Sequence, residues 1–502
     1  MDPAAARALG RSLGDFAPLS SAETILLDAA RRGVDAVIAT VRPSAETDAN
    51  RVRADFVRFL ALGGDADAPV HEHGVQLIGG WLTGALDLDA TTIGVQITLV
   101  KCVIGTFSAY DARFRVLALD GSRIDGGFLA DRLTCDGGVF IRDAEVAGGI
   151  RLPAANVGGD VDIHRSAIGG APFALLLAGA KIGGSLYLRD GFAATGEIFL
   201  VGAQIDGNLE CQQGKFDDPG GNALMAESVE IKGNFGFNAI TALRGRISLH
   251  LATIGVLIDD RASWAKADDI ILDGLTYGRF GGDAPTDAAS RIAWLDRQIA
   301  DHLGSDFRPQ PWEQAIATLR ASGHADEART VAIAKQDRLR AAGKITGVRA
   351  AIHRLYGGLI GYGYKPEWLL GWAVGVWIVT SIAFWIAVNP GAGQPWLMAP
   401  AKPAAADAVC VASRVAAHRG DPCLAPAPEY ATFFAPAYAL DVLLPVINLG
   451  YKNEWEPVLA DAHGKPLAWG IALRAMVWAE IVFGWVSSLL LVGVLGNLIK
   501  KD

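Results

Sequence analysis

The chain has 502 residues, 51% of them hydrophobic and 20% charged. Its mean hydropathy of +0.27 is too apolar for an ordinary soluble enzyme and too polar for a wholly membrane-buried transporter, so a soluble part joined to a membrane part is expected. A formal charge of −9 excludes a general nucleic-acid binder, which needs a net basic field.

The first residues, MDPAAARALGRSLGDFAPLSS, show no apolar stretch of the signal-peptide kind. Ser20 and Glu23 then stand at capping-box spacing ahead of Ile25, Leu26 and Leu27, and Val52, Phe56, Val57, Phe59 and Leu60 supply a second apolar face. Residues 1–70 are therefore expected to form a helical cap.

From residue 74 to about 282 the sequence repeats. The phrases GALDL, GSLYL, GEIFL, GNLEC, GNFGF and GRISL, starting at Gly84, Gly184, Gly196, Gly207, Gly233 and Gly245, share the pattern Gly, any, apolar, any, apolar. Gly127, Gly138, Gly149, Gly159 and Gly170 fall 10 or 11 residues apart. Each unit reads as a short strand with two side chains on one face, followed by a turn where glycine permits positive φ. Strands this short need stacking to bury their apolar rows, which is the logic of a solenoid. Two units make a coil of about 21 to 22 residues, and about nine coils give a cytoplasmic β-solenoid on the order of 45 Å long. DDPGG at 217–221 reads as a loop leaving one coil. The segment resembles β-solenoids of the pentapeptide-repeat or bactofilin type, without the strict five-residue register of the former.

Residues 286–364 switch to helical periodicity and read as a connector with a juxtamembrane helix. Ile292, Leu295, Ile299 and Leu303 form one stripe, and WEQAIATLRASGHADEARTVAIAKQ, turning at Gly323, resembles a single tetratricopeptide-like helical pair.

Residues 368–388 contain no charge and are long enough to cross about 30 Å of hydrocarbon. This places one span at 365–389. A second is expected at 471–499, with tryptophans at both ends of the pair: Trp368, Trp372, Trp385, Trp469 and Trp478. Basic residues crowd the approach to the first span, from Arg329 through Arg338, Arg340, Lys344, Arg349 and Arg354 to Lys365, and Lys500 and Lys501 follow the second. The positive-inside rule then puts both termini and the solenoid in the cytoplasm of a bacterial inner membrane, with 390–470 outside. Of five cysteines, Cys102, Cys135 and Cys211 would stay reduced, whereas Cys410 and Cys423 face the oxidising side and are expected to pair.

Enzyme signatures are lacking: the chain has no dinucleotide or Walker loop, no C-x-x-C, no H-E-x-x-H and no G-x-S-x-G. The residues thus point to no catalytic role, no metal and no cofactor. His71, Glu72 and His73 read as a solvated loop, GGLIGYG at 357–363 as an interfacial hinge, and His164 and His250 as side chains facing solvent. Three polar residues of the membrane part stand out. Glu480 inside the second span is expected either to hydrogen-bond at a helix interface or to line a polar path, and Arg474 to reach toward headgroups. Asp441 lies in a hydrophobic segment, 430–451, broken by Pro436 and Pro445. That segment either dips into the membrane between the spans, the order of a two-span pore-loop subunit, or lies on the outer leaflet with Asp441 turned to water.

The order of helical cap, glycine-punctuated solenoid, WEQ…EAR hairpin, GYGYKPEW entry and ALDVLLPVINLG segment resembles a family of bacterial two-span membrane proteins often labelled membrane-associated oxidoreductases. That label implies a redox cofactor. The leading expectation is a non-enzymatic scaffold or interaction protein, held to the lipid bilayer as a homo-oligomer, with a possible protein partner on the solenoid face. An oligomeric pore gated by the solenoid is the alternative, and the labelled oxidoreductase the second.

Overall fold

The computed structural model describes residues 12–389, 397–401, 432–460 and 465–499, with side chains in the last helix given to Gly493. It divides into two compact units, Met1–Lys344 and Ile345–Asp502.

The first unit is the expected β-solenoid. One coil carries four two-residue strands, Arg113–Phe114, Leu117–Ala118, Arg123–Ile124 and Phe128–Leu129. The next coil repeats them in parallel register: Arg113 pairs with Thr134, 21 positions on, and Leu117 with Val139, 22 positions on. A two-residue strand turns one side chain in and one out. Stacking therefore makes four inward rows, one running Phe107, Phe128, Ile150, Leu175, Ile198, Leu224, Ile247 and Ile270, another Ile104, Ile124, Val146, Ile168, Ala194, Phe216 and Leu243, all buried. No strand could stand alone, but those inside the stack bury their apolar residues between two neighbours.

Within the long strand Lys215–Met225 residues 218–221 of DDPGG pair with neither neighbouring strand and bulge out of their coil, as expected, and a similar register shift interrupts Ala167–Leu176 between Gly169 and Phe173. The glycines also have another purpose at several positions. Positive φ falls on glycines such as Gly127, Gly149 and Gly179, as expected, and also on other residues at the coil corners, among them Ala90, Asp111, Arg132 and Ala154 along one edge. At Gly148 and Gly207 the constraint is proximity: an added Cβ would lie 2.6 Å from the Gly126 carbonyl carbon and 2.7 Å from the Gly184 oxygen of the preceding coil. Glycine there lets successive coils stack at sheet distance.

The N-terminal cap is part helix and part sheet. Helix α1 (Ser21–Arg32) starts with the expected capping box, Ser20 accepting from the Glu23 amide and Glu23 from the Ser20 amide. Between α1 and α2 (Ala54–Ala61) the strands Ala36–Val37 and Arg51–Arg53 pair with Leu77–Ile78 and with residues 81–83, so the coil stack begins before residue 74. Buried Glu23 joins the two layers by accepting from Arg53 at 2.6 and 2.7 Å.

At the other end the helices expected as a connector form a second cap. The stripe Ile292, Leu295, Ile299 and Leu303 is not one helix. Helix α4 (Ala288–Leu295), which follows the single turn α3 (Arg261–Trp264), stops at Asp296, and Gln298 bridges to Ile270 before the short α5 (Ala300–Leu303). The hairpin of α6 (Gln310–Ala321) and α7 (Ala325–Ala341) does turn at Gly323. Its first helix covers the last coil: Gln310 donates to the Leu275 carbonyl and Gln314 to the Tyr277 carbonyl, at 2.9 and 2.7 Å. Those carbonyls would otherwise be an open sheet edge.

The second unit contains α8 (Gly347–Ile360), α9 (Glu367–Val388), α10 (Ala435–Leu443) and α11 (Ala468–Ile499). Helix α9 and residues Ala468–Gly493 of α11 are long and apolar enough to cross a membrane. An antiparallel pair, Met398–Pro400 with Trp455–Pro457, closes the loop end.

Candidate functional site

The polar residues singled out in the second unit converge on the packing of α10 against α9 and α11. Helix α10 is held by a ring contact of 4.8 Å between Phe384 and Tyr438, and by the Trp377 indole donating to the Pro436 carbonyl at 2.9 Å. On the other side Gly484 gives it room: a Cβ there would come 2.0 Å from the Leu443 oxygen. The 430–451 segment is thus packed between the two apolar helices through residues 435–443.

This placement corrects the reading of Asp441. It is not turned to water but fully buried (0% exposed), accepting from the backbone amides of Leu449 at 2.7 Å and Lys452 at 2.8 Å, with the Lys452 ammonium 3.8 Å away. Its carboxylate thereby satisfies the amides of the irregular stretch that follows α10, which would be costly to leave bare in an apolar setting. Arg474 pairs with Glu456 at 3.2 Å, beside the short antiparallel sheet.

Glu480 is 2% exposed and faces α9 of its own chain, where Thr380 donates to its Oε1 at 2.8 Å. This is the helix-interface arrangement of the two expected. Oε2 has no partner among the described residues. Cys410 and Cys423, the expected disulfide, lie outside the described residues.

On the solenoid, charged side chains of one coil pair with those of the next. Asp111 meets Arg132, Asp120 meets Arg142, Asp143 meets Arg165, and Asp217 meets Arg244. The Arg132 and Arg165 guanidiniums hold the Asp111 and Asp143 carboxyls below the usual range. His164 and His250 do not simply face solvent: both are half-buried, His164 against Asp162 at 2.6 Å and His250 against the Asp273 carbonyl at 2.8 Å. A shallow groove of about 260 Å³ runs across one lateral face between Arg123, Glu145, Ala167 and Thr195, with Arg42 reaching Glu145 at 2.6 Å. His71 and His73 meet edge to face at 4.6 Å in the loop beside α1, and no group of three or more His, Cys, Asp or Glu among the described residues is arranged to hold a metal ion.

No family model, no curated protein and no solved structure matches the chain.

Proposed function

We propose that the protein is a membrane-anchored scaffold or interaction protein of the bacterial inner membrane, its lateral solenoid faces being the recognition surface. One observation carries this reading: both ends of the coil stack are covered by the chain's own elements, α1 and α2 at the start and α6 at the finish, where Gln310 and Gln314 occupy the last strand's carbonyls. Stacking end to end with another solenoid has its surfaces already taken. What the fold leaves open is its sides, where coil-to-coil pairs such as Asp111 with Arg132 and Asp143 with Arg165 display both charge signs in a fixed array. A rigid array of this kind suits recognition of a complementary protein surface.

The two apolar helices supply the anchor, and the basic residues before α9 favour a cytoplasmic solenoid. Reporter fusions after Ala399 and at Asp502 are expected to report outside and inside respectively. Size measurement in native membrane extracts tests the interaction: the full chain is expected to run larger there than when purified. A lone monomer in both preparations would contradict the proposal.

A further inference from the structure

We propose that α8 is an in-plane helix that binds the anionic surface of the bilayer, an assignment that rests on reading α9 and α11 as spans. Val348, Ile352, Leu355 and Leu359 follow one another at spacings of four, three and four, so they line one stripe of the helix. At its C-terminal end the stripe meets protein, where Leu359 and Tyr356 pack around Ile360 and Leu369. Toward the N-terminus nothing among the described residues covers it. Val348 is 77% exposed, and Ile352 and Leu355 are each 61% exposed.

The charges beside this stripe identify what covers it. Arg349 and Arg354 are exposed on its two flanks and form no ion pair among the described residues. No acidic residue lies between Asp337 and Glu367. An apolar stripe flanked by unpaired guanidiniums, with no carboxylate near in sequence, complements acyl chains bordered by phosphate headgroups. A protein groove would need carboxylates of its own to meet the same two arginines.

Helix α8 is also tied to the entry of the first span. It ends at Gly361 in left-handed conformation, the Trp372 indole of α9 donates to the Gly358 carbonyl at 3.1 Å, and Lys365 stands over the Trp368 ring at 5.5 Å. The C-terminal turn of α8 is therefore fixed against α9, and the remaining turns have their apolar stripe free to enter the interface.

The test uses the full chain in nanodiscs of phosphatidylcholine alone or with about 30% phosphatidylglycerol, reading amide hydrogen exchange across residues 347–358. Exchange is expected to be roughly tenfold slower in the anionic discs, with α6 and α9 unchanged. Arg349→Gln with Arg354→Gln should abolish that lipid dependence, and Ile352→Glu should restore fast exchange in both lipids. Equal rates in the two lipids would overturn the proposal. Release of the chain from the discs by carbonate would instead overturn the anchoring reading on which it rests.

Discussion

Arg291 donates to both carboxylate oxygens of Asp259, at 2.7 and 2.9 Å, with neither side chain more than 2% exposed. The pair joins α4 to the end of a solenoid strand, the Trp264 indole donates to the same carboxylate at 2.7 Å, and the guanidinium lies 3.6 Å from the Phe280 ring centroid. It is the polar centre of the C-terminal cap. Arg291→Ala leaves a buried carboxylate uncompensated and is expected to cost about 3–5 kcal/mol. Combining Asp259→Asn with Arg291→Gln should cost less than the two single changes added together, because the partners are coupled. Thermal unfolding of the β-sheet signal by circular dichroism checks both.

The glycine seams give a second prediction. Gly207→Ala and Gly148→Ala place a methyl within 2.7 Å of the neighbouring coil's backbone, which cannot move without disturbing the ladder. Each is expected to destabilise by about 1–3 kcal/mol. Gly94→Ala, where a Cβ meets nothing within 4 Å, is the control and should stay within about 1 kcal/mol of the parent. Equal losses at all three positions would remove the close-approach explanation.

Much of the solenoid was legible because its period is written in apolar residues: Phe128, Ile150 and their counterparts recur at coil spacing and must share an interior. The caps were not. Ile292, Leu295, Ile299 and Leu303 have helical spacing, yet the chain breaks after Leu295 because Gln298 pairs with Ile270, a contact made only in the fold. Nor does the sequence mark Gln310 and Gln314 as partners of strand carbonyls. In the second unit Glu480 stands out through its charge, but Thr380, one hundred positions away, is an ordinary residue of an apolar helix. For Asp441 the pattern left two placements open, because an amphipathic segment does not distinguish water from a cluster of backbone amides.

The three solenoid cysteines are inward and inert. Burial pushes the Cys102 thiol up to about 12 and the Cys135 thiol up to about 11, and raises Cys211 as well. Since the thiolate is the nucleophile, its fraction at neutral pH is minute. Maleimide labelling of the folded chain at pH 7 should leave these three unmodified, and all three should react after unfolding, as peptide mass mapping would show. Fast labelling of any of them in the folded state would contradict the inward placement.

Glu480 is held by Thr380, so the contact should survive loss of charge. Glu480→Gln keeps an acceptor in place and adds a donor, and is expected to change stability in detergent by less than about 1 kcal/mol. Glu480→Ala removes the bond and leaves a gap in the α9–α11 packing, with an expected loss of about 1–3 kcal/mol. Thermal unfolding in a mild detergent distinguishes them. A larger loss for the glutamine variant than for alanine would mean that the carboxyl has a different partner.

The proposed function requires the solenoid to act through its sides. Its most direct test is photo-crosslinking in the native membrane from single positions on the full chain. Probes replacing Arg113, Arg165 or Lys232, on the lateral faces, are compared with probes at Ile25 and Asp301 on the two caps. The account predicts discrete crosslinked species from lateral positions, confined to one face, and none from the caps. Crosslinks arising from the caps alone, or from no position, would contradict it.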